Sequence, residues 1–216
     1  MTAENRLKLG VLISGRGSNM EAIAKACSDG EFPAVVSCVI SNNPEAEGLS
    51  LARSRGLNTF VVERRPLDTE RINRILLDHE VDLVCLAGFM SILREDFVKA
   101  WHHKIINIHP SLLPSFKGMR AQEQALKAGV KIAGCTVHYV YPELDAGPII
   151  IQAAVPVMSG DSVESLADRI LTAEHACYPE AVRLISLAKV KLGNDGIVEA
   201  SDSSKLFLFP YAASPA

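Results

Sequence analysis

The chain has 216 residues, a length that suits one compact domain or two closely fused lobes around a sizeable core. Its residues are 48% hydrophobic and 22% charged, which is typical of a soluble globular protein and excludes a disordered chain. The formal charge of −3 gives no electrostatic reason to bind nucleic acid. No apolar run is long enough to span a bilayer and the first residues do not form a secretory signal, so we expect a cytoplasmic protein without a membrane partner.

Strands and helices alternate through the first half of the chain. Apolar runs predict strands at 7–13, 35–40, 59–62, 83–87 and 105–109. Helical spacing of apolar residues predicts helices at 20–27, 48–55 and 68–79. This alternation is typical of an α/β fold with a doubly wound, mostly parallel, Rossmann-like sheet.

The pattern changes in the second half. A short helix at 121–128 precedes two long strands, 134–140 and 148–157, which we predict to form an antiparallel pair across a turn-rich segment. One long helix or two follow at 162–187, with Asp161 or Ser162 as N-cap and a break or kink at Pro179. From residue 193 onward the composition predicts a weakly ordered tail with one short strand at 205–209.

The five cysteines lie far apart and form no C-x-x-C pair, which excludes a disulfide scaffold and a zinc ribbon. Most occupy apolar runs, so we predict small buried thiols without a catalytic role. They are Cys27, Cys38, Cys85, Cys135 and Cys177.

A glycine-rich turn, GRGSN at 15–19, connects the first strand to the first helix. Such a turn lets backbone N–H groups and a helix N-terminus approach an anion, and the sequence indicates a site for one phosphate. Met20 occupies the position where a dinucleotide-binding fingerprint has its third glycine, so we do not expect a nicotinamide cofactor. The alternative is a tight turn capped by Ser18 or Asn19.

Two polar side chains, Asn107 and His109, interrupt a short apolar strand that ends at Pro110. Because side chains alternate along a strand, both point to one face, while Ile106 and Ile108 pack on the other. Burying an amide and an imidazole costs free energy unless each has a partner. Their place at the C-terminal end of a strand therefore predicts a crevice and a catalytic site.

Asp145, in the turn between the two later strands, is the third catalytic candidate. A carboxylate raises the pKa of a neighbouring histidine and prepares it as a general acid, and an amide can donate to an oxyanion. We interpret His138 as a buried, hydrogen-bonded histidine, with a place in the pocket as the alternative. His102 and His103 are predicted as surface charge near a helix end. The sequence spacing of these histidines and Asp145 does not match that of metal ligands, so we expect no metal site.

Five segments share their sequence and order with one enzyme family. They are LISGRGSN at 12–19, LAGFM at 86–90, INIHPSLLP at 106–114, ELDAGP at 143–148 and EHACYP at 174–179. Through them the chain closely resembles the phosphoribosylglycinamide formyltransferases, the folate-dependent transferases of purine synthesis and one-carbon metabolism. The resemblance implies one catalytic domain at 1–192, with a phosphate-binding half to about residue 100 and a catalytic and folate-binding half after it. The tail is then 193–216.

The resemblance implies that the amine of 5'-phosphoribosylglycinamide attacks the formyl carbon of 10-formyltetrahydrofolate, which is a co-substrate, on the route to IMP. Protonated His109 and Asn107 would stabilise the tetrahedral oxyanion, and Asp145 would keep His109 charged and in place. The implied partners are small molecules, and the implied assembly is a monomer or a homodimer.

The resemblance also assigns two binding sites. The glycinamide ribonucleotide site would comprise Gly17, Ser18, Asn19, Gly88, Pro110 and Glu174. The 10-formyltetrahydrofolate site would comprise Met90, Ser91, Ile92, Leu93, Asn107, Tyr141, Pro142, Glu143, Leu144 and Asp145. Apolar walls with polar backbone edges suit a flat heterocycle.

The chain departs from the family pattern at two places. Arg16 stands in the glycine turn where asparagine is frequent, and Arg120 follows Gly118 and Met119 where the family often has other residues. Some relatives also place an arginine in the helix after the third strand, against the folate, and the candidates here are Arg64, Arg65 and Arg71.

Three other functions compete with formyl transfer to glycinamide. A 10-formyltetrahydrofolate hydrolase shares the asparagine, histidine and aspartate but normally carries a regulatory domain before them. A methionyl-tRNA formyltransferase adds a basic domain that the acidic balance does not favour. A non-catalytic nucleotide-binding module would explain the glycine turn but would leave Asn107, His109 and Asp145 without a role.

Overall fold

The computed structural model describes residues 6–63 and 66–200 and the backbone of residues 207–208. Its strands are β1 (Leu7–Ile13), β2 (Ala34–Ser41), β3 (Thr59–Val61), β4 (Leu83–Leu86), β5 (Ile105–His109), β6 (Ile132–Tyr139), β7 (Ile149–Pro156), β8 (Val190–Leu192), β9 (Val198–Ala200) and β10 (Phe207–Leu208). Its helices are α1 (Ser18–Cys27), α2 (Glu47–Ser54), α3 (Thr69–Asp78), α4 (Glu95–Ala100), α5 (Ala121–Ala128) and α6 (Val163–Ser186).

In the described part of the chain, eight strands form one sheet in the order β10-β7-β6-β5-β4-β1-β2-β3. The five neighbouring strands β5, β4, β1, β2 and β3 are parallel, and β6 is antiparallel to both β5 and β7. The predicted doubly wound sheet with an antiparallel pair is therefore confirmed. Because β1 lies between β2 and β4, the strand order reverses there, and open α/β sheets bind ligands at the C-terminal ends of such strands.

Helices cover both faces of the sheet. Apolar side chains of α1, α2, α5 and α6 form one core layer, and those of α3 and α4 form the other. β4 is buried at all four positions, as expected for a central strand with helices on both sides. Among the described residues, no helix is both long and apolar enough to cross a membrane.

Helix α6 runs through Pro179 without ending, although the sequence predicts a break or kink there. Proline removes one helical hydrogen bond, but Cys177, Tyr178 and Ala181 around it are fully buried against the sheet, and this packing holds the helix together. Its start is as predicted, because Ser162 is the N-cap and forms a capping box with Ser165.

Two short features differ from the prediction. Helix α4 has only six residues, too few for a recognisable period, but its Phe97 and Val98 are buried in the second core layer. The tail does not begin at residue 193, since β8 and β9 pair as a hairpin across it. The strand expected at 205–209 is described only where β10 pairs with β7, and the rest of that segment lies outside the described residues.

Candidate active site

The glycine turn joins β1 to α1 by a conformation that only glycine fits at Gly17. Its φ is +76°, and a Cβ added there would lie 2.6 Å from the Cα of Gly48. Helix α1 begins at Ser18 with Gly17 as its N-cap and without a side-chain cap hydrogen bond, so neither Ser18 nor Asn19 caps the helix. The first N–H groups of a helix have no partner within it, and they are available to an anion here.

A cavity of about 860 Å³ opens beside this turn, at the C-terminal ends of β1 and β4. The sequence-predicted ribonucleotide residues all line it, namely Gly17, Ser18, Asn19, Gly88, Pro110 and Glu174. Arg16 and Met90 line it as well. The reversal of strand order thus brings together segments that are far apart in sequence.

Glu174, on α6, forms the acidic end of this cavity. Its side chain is buried, and its Oε2 accepts a hydrogen bond of 2.6 Å from Nδ2 of Asn19. Burial raises the pKa of Glu174, and the bond from Asn19 offsets part of that effect. The buried Oδ1 of Asn19 has no partner within the described part of the chain. The pair therefore presents unsatisfied hydrogen-bonding capacity to a polar ligand.

Two of the predicted catalytic residues, Asn107 and His109, lie at the end of β5. Ile106 and Ile108 pack in the core layer of α6, while Asn107 and His109 lie on the opposite face. His109 is 6% exposed. Its Nε2 lies 3.0 Å from the carbonyl oxygen of Phe116, and its Nδ1 lies 3.4 Å from Oδ2 of Asp145. Both ring nitrogens face acceptors, so the doubly protonated imidazole satisfies both contacts.

Asp145 reaches His109 from the loop at 140–148, which folds back over this face of the sheet. The carboxylate also accepts a hydrogen bond of 2.9 Å from the backbone N–H of Gly118. The backbone φ of Asp145 is +48°, in the left-handed region that aspartate and asparagine tolerate. The structure therefore brings Asn107, His109 and Asp145 together, as the sequence predicts.

His138 lies beside these three residues, and no pattern in the sequence predicts a catalytic role for it. It pairs with Asn107 across β5 and β6, so both side chains share one face. Burial lowers the pKa of His138, and its Nδ1 donates to the carbonyl of Tyr139 at 2.9 Å. The neutral Nε2 then accepts from Nδ2 of Asn107 at 3.3 Å. His138 also lies 3.8 Å from Oδ1 of Asp145. The buried, hydrogen-bonded histidine predicted from the sequence is confirmed.

The side chains of Asn107, His109 and Asp145 are next to the cavity but do not line it. Of the residues at the end of β5, only Ile108 and Pro110 line the cavity. Loop residues 116–118 and Asp145 cover His109 instead. In this structure the carbonyl of Phe116 therefore occupies the hydrogen-bonding position at Nε2 of His109. The sequence offered no sign of this contact, because it depends on how the loop at 110–120 folds back.

The segment after β4 forms a wall with exposed apolar side chains. Met90 is 63% exposed and Ile92 is 88% exposed, and Leu144, on the loop at 140–148, is exposed as well. The N–H of Met90 donates to Oγ of Ser14, which ties this wall to the glycine turn. Leu93 is buried in the second core layer, so its side chain is not available to a ligand.

Further contacts complete the predicted folate residues. Ser91 accepts a hydrogen bond of 2.7 Å from Asn42, Pro142 and Glu143 are exposed, and Tyr141 is half-buried. Of the candidate arginines, Arg71 lies exposed in the first turn of α3, while Arg64 and Arg65 fall outside the described residues.

All five cysteines are buried and free, as predicted. Burial raises the pKa of Cys27 and of Cys38 to about 12, so neither thiol ionises near neutral pH.

Comparison with known proteins identifies the formyl transferase family. The formyl transferase family model matches residues 7–182. A phosphoribosylglycinamide formyltransferase of Escherichia coli is 41% identical over 187 residues, covering 84% of this chain and 88% of that protein. A crystal structure of phosphoribosylglycinamide formyltransferase from Anaplasma phagocytophilum is 67% identical with a TM-score of 0.92, covering 95% of this chain and all of that one.

Longer proteins contain the same region. The trifunctional purine biosynthetic protein adenosine-3 of Gallus gallus is 45% identical over 197 residues, which are 89% of this chain. This chain spans about a fifth (20%) of the length of that relative. The family match over most of the chain, together with the shared fold, shows that this protein belongs to the phosphoribosylglycinamide formyltransferases of the formyl transferase family.

Proposed function

We propose that this chain transfers the formyl group of 10-formyltetrahydrofolate to the amine of 5'-phosphoribosylglycinamide, a step in the de novo synthesis of IMP. The observation that carries the proposal is the meeting of Asn107, His109 and Asp145 at the end of β5, beside the cavity of the glycine turn. The names of the relatives support the choice of substrates.

The ribonucleotide fits the cavity with its phosphate at the glycine turn. The N-terminus of α1 supplies N–H donors, Ser18 adds a hydroxyl, and the helix dipole favours the negative charge. At the other end, the carboxylate of Glu174 and the free Oδ1 of Asn19 accept hydrogen bonds from ribose hydroxyls. Pro110 and Gly88 border the path from the ribose to the catalytic group.

The formyl group is placed at Asn107 and His109. In the reaction the amine nitrogen forms a bond to the formyl carbon, the carbon's bond to N10 of the folate breaks, and one proton passes from the amine to N10. His109 donates from Nε2 to the oxyanion, which takes the acceptor position that the carbonyl of Phe116 occupies in this structure. Asn107 donates to the same oxygen from its amide.

Asp145 and His138 orient the two donors of this group. The carboxylate of Asp145 lies 3.4 Å from Nδ1 of His109 and fixes the orientation of the imidazole. His138 stays neutral because burial lowers its pKa, so it does not compete with His109 for the same carboxylate. Its Nε2 accepts from Asn107 and orients the amide donor.

The folate ring lies between the apolar wall after β4 and the loop at 140–148. Met90 and Ile92 on one side and Leu144 on the other expose apolar surface that a flat heterocycle would cover. Backbone groups of the same segments supply polar edges for its ring nitrogens.

The decisive test follows the absorbance change of 10-formyltetrahydrofolate deformylation with and without glycinamide ribonucleotide. We expect deformylation only when the ribonucleotide is present, with one formylated product for each folate consumed. Equal rates in its absence would identify the hydrolase instead. No deformylation under either condition would support the non-catalytic module.

A second prediction concerns Glu174→Gln. The pKa of Glu174 is raised by burial, so its ionised form weakens folding once the pH exceeds that raised pKa, and the cost is absent below the ordinary value. Glutamine removes the charge and can donate to the unpartnered Oδ1 of Asn19. We expect the free energy of unfolding at pH 8 to rise by about 1 kcal/mol, and the KM for the ribonucleotide to rise as well.

Urea denaturation at pH 8 and at pH 4 checks this expectation, because the gain in stability should shrink at the lower pH. A variant that is less stable than the original chain at pH 8 would contradict the view that the buried charge of Glu174 weakens folding.

A further inference from the structure

Four rings gather where the loop at 140–148 leaves β6. The rings of His102 and His103, which follow α4, have centroids 3.6 Å apart and planes tilted by 34° to each other. His103 also stacks on Tyr141, at 5.8 Å and an interplanar angle of 21°, and lies 6.1 Å from the ring of Tyr139. The sequence predicts only surface charge for this histidine pair, and neither histidine belongs to the catalytic group.

One contact in this group is a specific hydrogen bond. Nε2 of His103 and the hydroxyl of Tyr141 are 2.8 Å apart. His103 is exposed, but partial desolvation and the neighbouring His102 lower its pKa, which favours the neutral ring that can share a proton with the hydroxyl. The φ of His103 is +60°, in the left-handed region that residues other than glycine seldom adopt.

The hydrogen bond holds the first part of the loop, whose far end is fixed separately. Gly147 packs so closely on the carbonyl of Tyr139 that a Cβ would lie 1.8 Å from that oxygen. The N–H of Tyr139 donates to the carbonyl of Pro148, which closes the loop at its base. Between these points Pro142, Glu143 and Leu144 are exposed.

We propose that His103 is a positioning residue for the folate-binding loop. Through Tyr141 it fixes the first part of the loop at 140–148, so that Leu144 faces the apolar wall after β4 and Asp145 reaches His109. The assignment rests on the proposed function for the identity of the substrate. The mechanical part, an anchored loop, is independent of it.

The test compares His103→Asn with Tyr141→Phe and the double variant. Asparagine tolerates the left-handed backbone, so the change removes the ring without adding strain. Phenylalanine keeps the stacking and removes the hydroxyl. A matched control is His79→Asn, since His79 also bonds through its ring to an oxygen acceptor, the carbonyl of Ile75, but lies at the end of α3.

For His103→Asn we expect the KM for 10-formyltetrahydrofolate to rise roughly three- to tenfold, the amount that corresponds to the loss of one hydrogen bond and its stacking. The KM for glycinamide ribonucleotide should not change. Because both residues serve one contact, the double variant should be little worse than the more affected single variant. Equal effects on the two KM values, or fully additive effects, would overturn the assignment.

A second readout does not depend on activity. Glu143 lies exposed in the loop and is a cleavage site for a glutamate-specific protease. We expect His103→Asn to be cut after Glu143 at least several times faster than the original chain, and His79→Asn to be cut at the original rate. Unchanged cleavage would refute the anchor. If the original chain shows no ribonucleotide-dependent deformylation, the proposed function fails while cleavage still tests the anchor.

Discussion

Replacing His109 with alanine is expected to lower kcat by about a thousandfold while the fold persists. The imidazole is the group whose two nitrogens face the carbonyl of Phe116 and the carboxylate of Asp145, so its removal takes away the charged donor to the oxyanion. The methyl group leaves Asn107 as the remaining donor on that face. Steady-state kinetics at saturating concentrations of both substrates measure the loss.

The matched control for this change is His79→Ala, which removes a half-buried histidine with a ring-to-carbonyl contact outside the site. It should keep the original kcat. Circular dichroism and a urea midpoint for both variants separate a loss of chemistry from a loss of structure. Near-full turnover in folded His109→Ala would remove the histidine from the mechanism.

Asp145→Asn is expected to lower kcat by roughly a hundredfold to a thousandfold. Asparagine keeps the size of the side chain and tolerates the φ of +48°, whereas alanine at that position would add backbone strain. The amide carries no charge to balance the imidazole of His109. Its oxygen can still accept from the N–H of Gly118, so the loop should keep its position.

A suitable control is Asp82→Asn, since Asp82 likewise accepts one backbone N–H, from Lys8, at 2.9 Å but lies at the other end of the strands. Combining Asp145→Asn with His109→Ala should cost little more than His109→Ala alone, because both act through one imidazole. If Asp145→Asn retained more than a tenth of the original turnover, the carboxylate's charge would have no part in the reaction.

The sequence was sufficient where the deciding interactions are local. The alternation of side chains placed Asn107 and His109 on one face, and the glycine turn marked the start of α1. It was insufficient for α4, whose six residues are too few for the helical period to repeat recognisably, and for α6, whose passage through Pro179 depends on packing. The sequence also did not predict the hairpin of β8 and β9, because each of these strands has only three residues.

The sequence by itself determined the parallel sheet, the glycine turn before α1 and the residue types of the candidate catalytic group, because periodicity and turn chemistry act over a few neighbouring residues. Only the tertiary structure decided which side chains meet. His138 stands opposite Asn107, 31 residues away, because the register of two antiparallel strands fixes that pair. Asp145 reaches His109 because a folded loop brings it there. Such pairings depend on how buried surfaces pack across the whole chain, which no local pattern specifies.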